Sequence, residues 1–172
     1  MGVKPILLLG HPGLRTRCRR VTVFDAELRR VVRDLRDTLR DARARRGFGR
    51  GIAAPQIGVP LRVVYLEADA PLVLVNPVLR MRSRARMTLW DDCFSFPDLL
   101  VRVRRHLSVT VDYRDADGAA ATIRASGPLS ELVQHELDHL DGVLAVDRAL
   151  DARHMMLRAE YERQRRTSGI PL

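Results

Sequence analysis

At 172 residues, 46% of them apolar and 30% charged, the chain is expected to form one domain spanning 1–172, large enough to bury a core without covalent staples. No apolar run approaches the ~20 residues of a membrane span, and residues 6–9 are too short for a signal-peptide core. The net charge of +9 favours polyanions, but 5% aromatic content and the lack of zinc-finger, helix-turn-helix or aromatic–basic patterns exclude sequence-specific nucleic-acid reading.

Two cysteines, Cys18 and Cys93, cannot make a disulfide framework and fit a reducing, cytoplasmic setting. In chain order, residues 3–9 read as a short edge strand with Pro5 against a central place, and 11–15 as a turn. Asp25 caps a helix whose Leu28, Val31, Val32, Leu35 and Leu39 share one face, ending at Gly47. Gly47, Gly49 and Gly51 then alternate ahead of Ile52-Ala53-Ala54-Pro55-Gln56. A dinucleotide fingerprint needs its glycines between a strand and a helix; these follow a helix and run into proline. They read instead as a loop whose backbone approaches a ligand closely.

Residues 61–66 and 72–75 are β-rich, and 80–86 read as a basic, irregular stretch. Leu107, Val109, Val111 and Tyr113 alternate with polar residues as a half-buried strand, and Asp117-Gly118 turns into a partner over 119–124. A last helix is expected over 148–166, with six arginines against Asp151, Glu160 and Glu162. Strands clustered between separate helices predict an α+β fold, not alternating βαβ units.

Residues 127–142 carry the chemistry. Gly127 and Pro128 suit a first helical turn, Gly142 suits a left-handed terminus, and Leu129, Leu132, Val133, Leu137 and Leu140 recur at helical spacing. His135 and His139, four apart, stack on one flank, and Glu136 projects between them and the buried side. Two imidazoles at that spacing with a glutamate can hold a transition metal and aim a carboxylate at its water. The third ligand decides the chemistry. Ala145 stands where a metzincin needs histidine; Glu160 lies at a thermolysin-like distance but in an arginine-rich helix, where a solvated pair is the stronger reading. Cys93 is the remaining candidate.

Gly49-Arg50-Gly51-Ile52-Ala53-Ala54-Pro55-Gln56, Asp91-Asp92-Cys93-Phe94-Ser95 and Gln134-His135-Glu136-Leu137-Asp138-His139-Leu140-Asp141-Gly142 resemble the three ordered motifs of peptide deformylases. The resemblance runs from the Pro-Gly-Leu-Arg turn to Asp147-Arg148. It implies antiparallel sheets around a central HExxH helix, with further helices at both ends. It implies a metal on Cys93, His135 and His139: ferrous iron, although Zn²⁺, Ni²⁺ or Co²⁺ would suit the same donors. It also implies removal of the formyl group from N-terminal methionine. Glu136 would act as base, with the Gln56 amide and the Phe94 N–H as oxyanion donors. Gly49, Arg50, Gly51, Asp92 and Leu132 would meet the substrate. Ribosomal RNA would be a loose partner of the basic C-terminal helix.

This chain departs from the family's usual Glu-Gly before the cysteine. Asp91 keeps the charge and can reach Arg105; Asp92 adds a carboxylate beside the ligand thiolate, and Phe94 replaces a usual leucine. Other readings are a hydrolase of another N-formyl compound, a weakly active metal-binding homologue, or a basic binding module with an accidental HExxH. Cys18 reads as a buried or incidental thiol, His11 and His106 as turn or surface residues, and His154 as packing on the last helix. Asp138 reads as a salt-bridge partner.

Overall fold

A computed structural model describes residues 2–168. Helix α1 spans Ala26–Arg46; Asp25 accepts from the Glu27 and Leu28 N–H groups at 3.0 Å, and Gly47 closes the helix in the left-handed region. Strands β1 (Gly51–Ala53), β2 (Val63–Glu67), β3 (Pro71–Arg82), β6 (Ser108–Arg114) and β7 (Ala120–Ser126) form an antiparallel sheet in the order β1-β2-β3-β6-β7. Strands β4 (Arg86–Asp92), β5 (Leu99–His106) and β8 (Met155–Leu157) form a second antiparallel sheet in the order β4-β5-β8. Helix α2 spans Gly127–Leu140, and α3 spans Arg158–Ser168.

The large sheet has helices on both faces, so β2 is a continuous apolar run. Val64 and Leu66 pack with Leu132, Val133, Leu137 and Leu140 of α2, while Val63 and Tyr65 pack with Leu28, Leu35 and Leu39 of α1. That burial drives the architecture: each fully covered side chain of this size contributes about 1.5–3 kcal/mol. A third cluster joins Cys93, Val101 and Val103 of the small-sheet region to Leu14 and Leu144. Helix α2 therefore lies between the sheets, touching β1, β2 and β7 on one side and β5 on the other.

Several expectations need correction. Residues 3–9 make no strand; the N–H groups of Leu7 and Leu9 donate to the carbonyls of Gln56 and Ser95, each at 2.8 Å. The glycine loop is in part a strand, because Gly51–Ala53 pairs with β2. The stretch 80–86 is irregular only at 83–85: β3 runs through Arg82 and β4 starts at Arg86. The last helix begins only at Arg158, after a 3₁₀ turn at Ala145–Arg148 and strand β8. His154 lies before that helix, with Nδ1 2.8 Å from Asp151 rather than packed on it.

Candidate active site

Cys93 follows the end of β4 in the turn that leads to β5, and His135 and His139 lie one helical turn apart on α2. The fold brings all three together. Cys93 Sγ lies 3.3 Å from His139 Nε2, which lies 3.2 Å from His135 Nε2. All three side chains are buried. Metal–ligand distances of ~2.0–2.1 Å to nitrogen and ~2.3 Å to sulfur give tetrahedral donor–donor edges of about 3.3–3.6 Å. The observed spacings fit such a cation, and a thiolate with two imidazoles is a donor set for zinc or ferrous iron. Glu160 is excluded as a ligand, since it sits on α3 paired with Arg163 at 2.6 Å.

The ring of His135 is oriented by a contact that the sequence did not announce. Asp91 Oδ1 lies 2.8 Å from His135 Nδ1, leaving Nε2 to face the cysteine. Burial works against a charged His135, but Asp91 outweighs it and raises the ring's pKa well above the ordinary value. Burial and the neighbouring His135 together push His139 down. Asp91 also accepts from Arg105 Nη2 at 2.8 Å, and Arg105 Nη1 donates to Asp138 at 2.9 Å. Arg105 and Asp91 are both buried, so the pair expected from the sequence is a desolvated one. Burial opposes the ionised Asp91, yet His135 and Arg105 hold its pKa at about 2.

Glu136 is 3% exposed. Burial lifts its pKa to about 7, His135 counteracts this, and Glu131 and Asp91 reinforce it. Its Oε2 has no hydrogen-bond partner among the described residues. Gly51 is what makes room for it: a Cβ there would stand 2.6 Å from Glu136 Oε1 and 3.0 Å from Leu132 Cδ1. Gln56 is buried, its Oε1 accepting from the Ala53 N–H at 2.9 Å. That bond turns Nε2 inward, 3.3 Å from Ser95 Oγ and 3.4 Å from Cys93 Sγ. No protein acceptor takes the Phe94 N–H among the described residues.

Gln56, Asp91, Cys93, Phe94, His135 and Glu136 line a cleft of about 420 Å³. One wall runs from Phe48 into β1, the other follows β4 to Asp92, and both β1 and β4 are edge strands of their sheets. Leu132, Arg50 and Gly51 line it together, with one feature sequence reasoning missed: Glu131, buried, 3.0 Å from Arg50 Nη2. Its position four residues before His135 was the available signal, since it places Glu131 on the ligand face of α2. Burial, then Asp91, raises the Glu131 pKa to about 7. Asp92 does not join the donor cluster; its carboxylate is 2.8 Å from Arg158. Phe94 stacks on Phe48 with ring centroids 5.3 Å apart.

The family model described as polypeptide deformylase matches residues 3–154. The chain belongs to the polypeptide deformylase family. A peptide deformylase of Parafrankia sp. (strain EAN1pec) is 46% identical over 150 residues, 86% of this chain and 79% of that protein. One from Rhizobium meliloti (strain 1021) is 35% identical over 175 residues, 98% of each. Among solved structures, a peptide deformylase from Legionella pneumophila superposes with a TM-score of 0.82 at 32% identity, covering 99% of this chain and 100% of that one. One from Synechococcus elongatus in complex with actinonin gives 0.81 at 32% identity, covering 98% and 89%. The deformylase fold is thus the α+β arrangement described above, and the reading of a binding module with an accidental HExxH loses its support. Deformylases are metal-dependent, and Cys93, His135 and His139 form a buried cluster able to hold an ion.

The remaining sequence candidates fall outside the cleft. His11 Nδ1 accepts from the Gly13 N–H, His106 Nδ1 lies 2.7 Å from the Ser83 carbonyl, and Cys18 is buried beneath α2. Asp138 pairs with Arg105 and Arg148, as its position on the helix suggested.

Proposed function

We propose that this chain is a metal-dependent peptide deformylase acting on the N-terminal formyl-methionine of nascent polypeptides. The observation that carries this reading is the convergence of a buried Cys-His-His donor set and a buried carboxylate, its Oε2 without a hydrogen-bond partner among the described residues, at a cleft between two sheet edges.

When bound at Cys93, His135 and His139, a divalent cation supplies the Lewis acidity that makes water a nucleophile near neutral pH. Glu136 accepts the proton as water adds to the formyl carbon and returns it to the departing amine, and a carboxyl held near 7 suits both transfers. The oxyanion that forms is met by Gln56 Nε2 and the Phe94 N–H, donors of a kind typically worth ~3 kcal/mol each in the transition state. Asp91 holds His135 in its metal-facing orientation. The edges at Gly49–Gly51 and along β4 accept the peptide backbone as an added strand. Arg50, Gly51 and Leu132 receive the methionine side chain, with Asp92 at the rim. Among Fe²⁺, Zn²⁺, Ni²⁺ and Co²⁺, ferrous iron is the native ion in this reading. The enzyme works in the cytoplasm, and no described helix is long and apolar enough to cross a membrane.

Purified protein loaded with ferrous iron is expected to contain about one metal per chain and to deformylate formyl-Met-Ala-Ser. Full metal occupancy without turnover would overturn the reading. Gly51→Ala is expected to displace Glu136, lowering turnover by about tenfold or more with about 1–3 kcal/mol of overpacking cost. Comparing kcat with the melting temperature separates the two effects; an unchanged kcat would show that Glu136 tolerates the intrusion.

Loose association with ribosomal RNA through α3 completes the proposal. The helix carries four arginines and two glutamates, with Arg158 and Arg163 occupied in ion pairs. Salt-sensitive cosedimentation with ribosomes tests this association and is expected to vanish when Arg165 and Arg166 are replaced by glutamine.

A further inference from the structure

One side chain fastens the C-terminal helix to both walls of the cleft. Arg158, the first residue of α3, donates from Nε to the Pro97 carbonyl at 2.7 Å and from Nη2 to Asp92 at 2.8 Å. Its guanidinium carbon lies 3.8 Å from the centre of the Phe48 ring. Asp92 ends β4, and Phe48 leads into β1. Both line the cleft, whereas Arg158 does not. One turn further along α3, Tyr161 meets the edge of Trp90, a third lining residue, with ring centroids 5.9 Å apart.

The three contacts of Arg158 need a guanidinium. A planar fork can hold a carbonyl and a carboxylate in its plane while its face covers an aromatic ring; an ammonium cannot do all three. Without Arg158, Asp92 would leave an uncompensated charge on the wall one residue from Cys93. Phe48 would lose its outer cover while still stacked on Phe94. The side-chain replacement at position 92 and the first residue of α3 thus form one device.

We propose that Arg158 is a positioning residue for the peptide, holding Asp92 and Phe48 so that the two sheet edges keep the separation an added strand requires. This rests on the deformylase reading above. Arg158 touches no reacting atom, so its effect should grow with the length of peptide held between the edges.

The test compares wild type, Arg158→Ala and Arg158→Lys on formyl-Met and on formyl-Met-Ala-Ser. It adds a titration with the product Met-Ala-Ser, followed by the fluorescence of the chain's single tryptophan, Trp90. For both variants KM for the tripeptide is expected to rise about tenfold, with kcat within about threefold and only about a twofold rise for formyl-Met, the pattern of lost ground-state binding. Affinity for Met-Ala-Ser should fall in step. Asp92→Gly combined with Arg158→Ala should recover part of the loss by removing the unpaired carboxylate. An unchanged KM and product affinity, or an equal fall in kcat on both substrates, would overturn the assignment. The lysine variant keeps the charge and guards against misreading a folding defect in the alanine variant. If wild type failed to turn over formyl-Met-Ala-Ser, the deformylase reading would fall, while the product titration would still decide on Arg158.

Discussion

Glu136→Gln is expected to lower turnover of formyl-Met-Ala-Ser by roughly 10²–10⁴-fold, the range of a lost general acid–base group, while metal content stays near that of the wild type. The glutamine is nearly isosteric, so the tight fit against Gly51 and Leu132 survives. It removes the ionisable carboxyl from a site where burial already disfavours the charge. Folding should therefore suffer little. Metal analysis and steady-state kinetics on the same preparation check this. Loss of the metal would make Glu136 a ligand, and turnover within tenfold of wild type would deny it the role of base.

Arg105→Ala is expected to be the most damaging substitution for stability. Arg105 is 4% exposed and binds both Asp91 and Asp138, and Asp91 in turn touches His135. Removing one partner of a buried pair typically costs about 3–5 kcal/mol, because the other charge is left without compensation. For a chain of this size that corresponds to roughly 10 °C in melting temperature. Losing the support behind a ligand histidine also typically weakens metal binding by about 10–100-fold. Thermal melts and a competitive metal titration check both effects; a shift under about 3 °C would show that the pair is replaceable.

The same pair predicts a dependence on acid. The pKa of Asp91 is about 2 in the folded chain against an ordinary 3.8. Its folded value is depressed, so its contribution is fully present above about pH 4 and is lost as pH falls toward 2. An acid whose folded pKa is lowered stabilises the fold only in its ionised form. Denaturant titrations of wild type and Asp91→Asn should show a stability gap that narrows across this window. A gap independent of pH would locate the effect in packing.

Legibility in the sequence followed how directly local pattern reports burial. Helices α1 and α2 and the β6–β7 hairpin were readable because caps, periodicity and Asp117-Gly118 agree with the tertiary environment. Strand β5 was not identified: Val101 and Val103 face inward, but so does Arg105, and an inward arginine breaks the alternation that marks a strand. The stretch 80–86 is obscured for a similar reason, since exposed arginines at the end of β3 and the start of the edge strand β4 mask the strand pattern. Residues 3–9 satisfy backbone groups against Gln56 and Ser95, partners no local pattern announces.

In the site, the i, i+4 spacing placed both histidines on one helix flank, with Glu136 projecting between them and the buried side. Cys93 lies 46 residues before His139, and only the ordered motifs connected it to them; the fold then brings its sulfur within 3.3 Å. The contact of Asp91 with His135 and the pairing of Asp92 with Arg158 depend on how the small sheet and α3 pack. Neither was visible in the spacing. Sequence adjacency sets the Asp92 charge beside the thiolate, whereas in the fold its carboxylate pairs with Arg158.

The ligand set itself is best tested by replacing the native ion with Co²⁺ and recording the near-ultraviolet absorption of wild type, Cys93→Ser and Cys18→Ser. One thiolate with two imidazoles should give a thiolate-to-cobalt charge-transfer band that disappears in Cys93→Ser and persists in Cys18→Ser. A band that survives the loss of Cys93, or no band at full cobalt occupancy, would contradict a metal held by Cys93, His135 and His139.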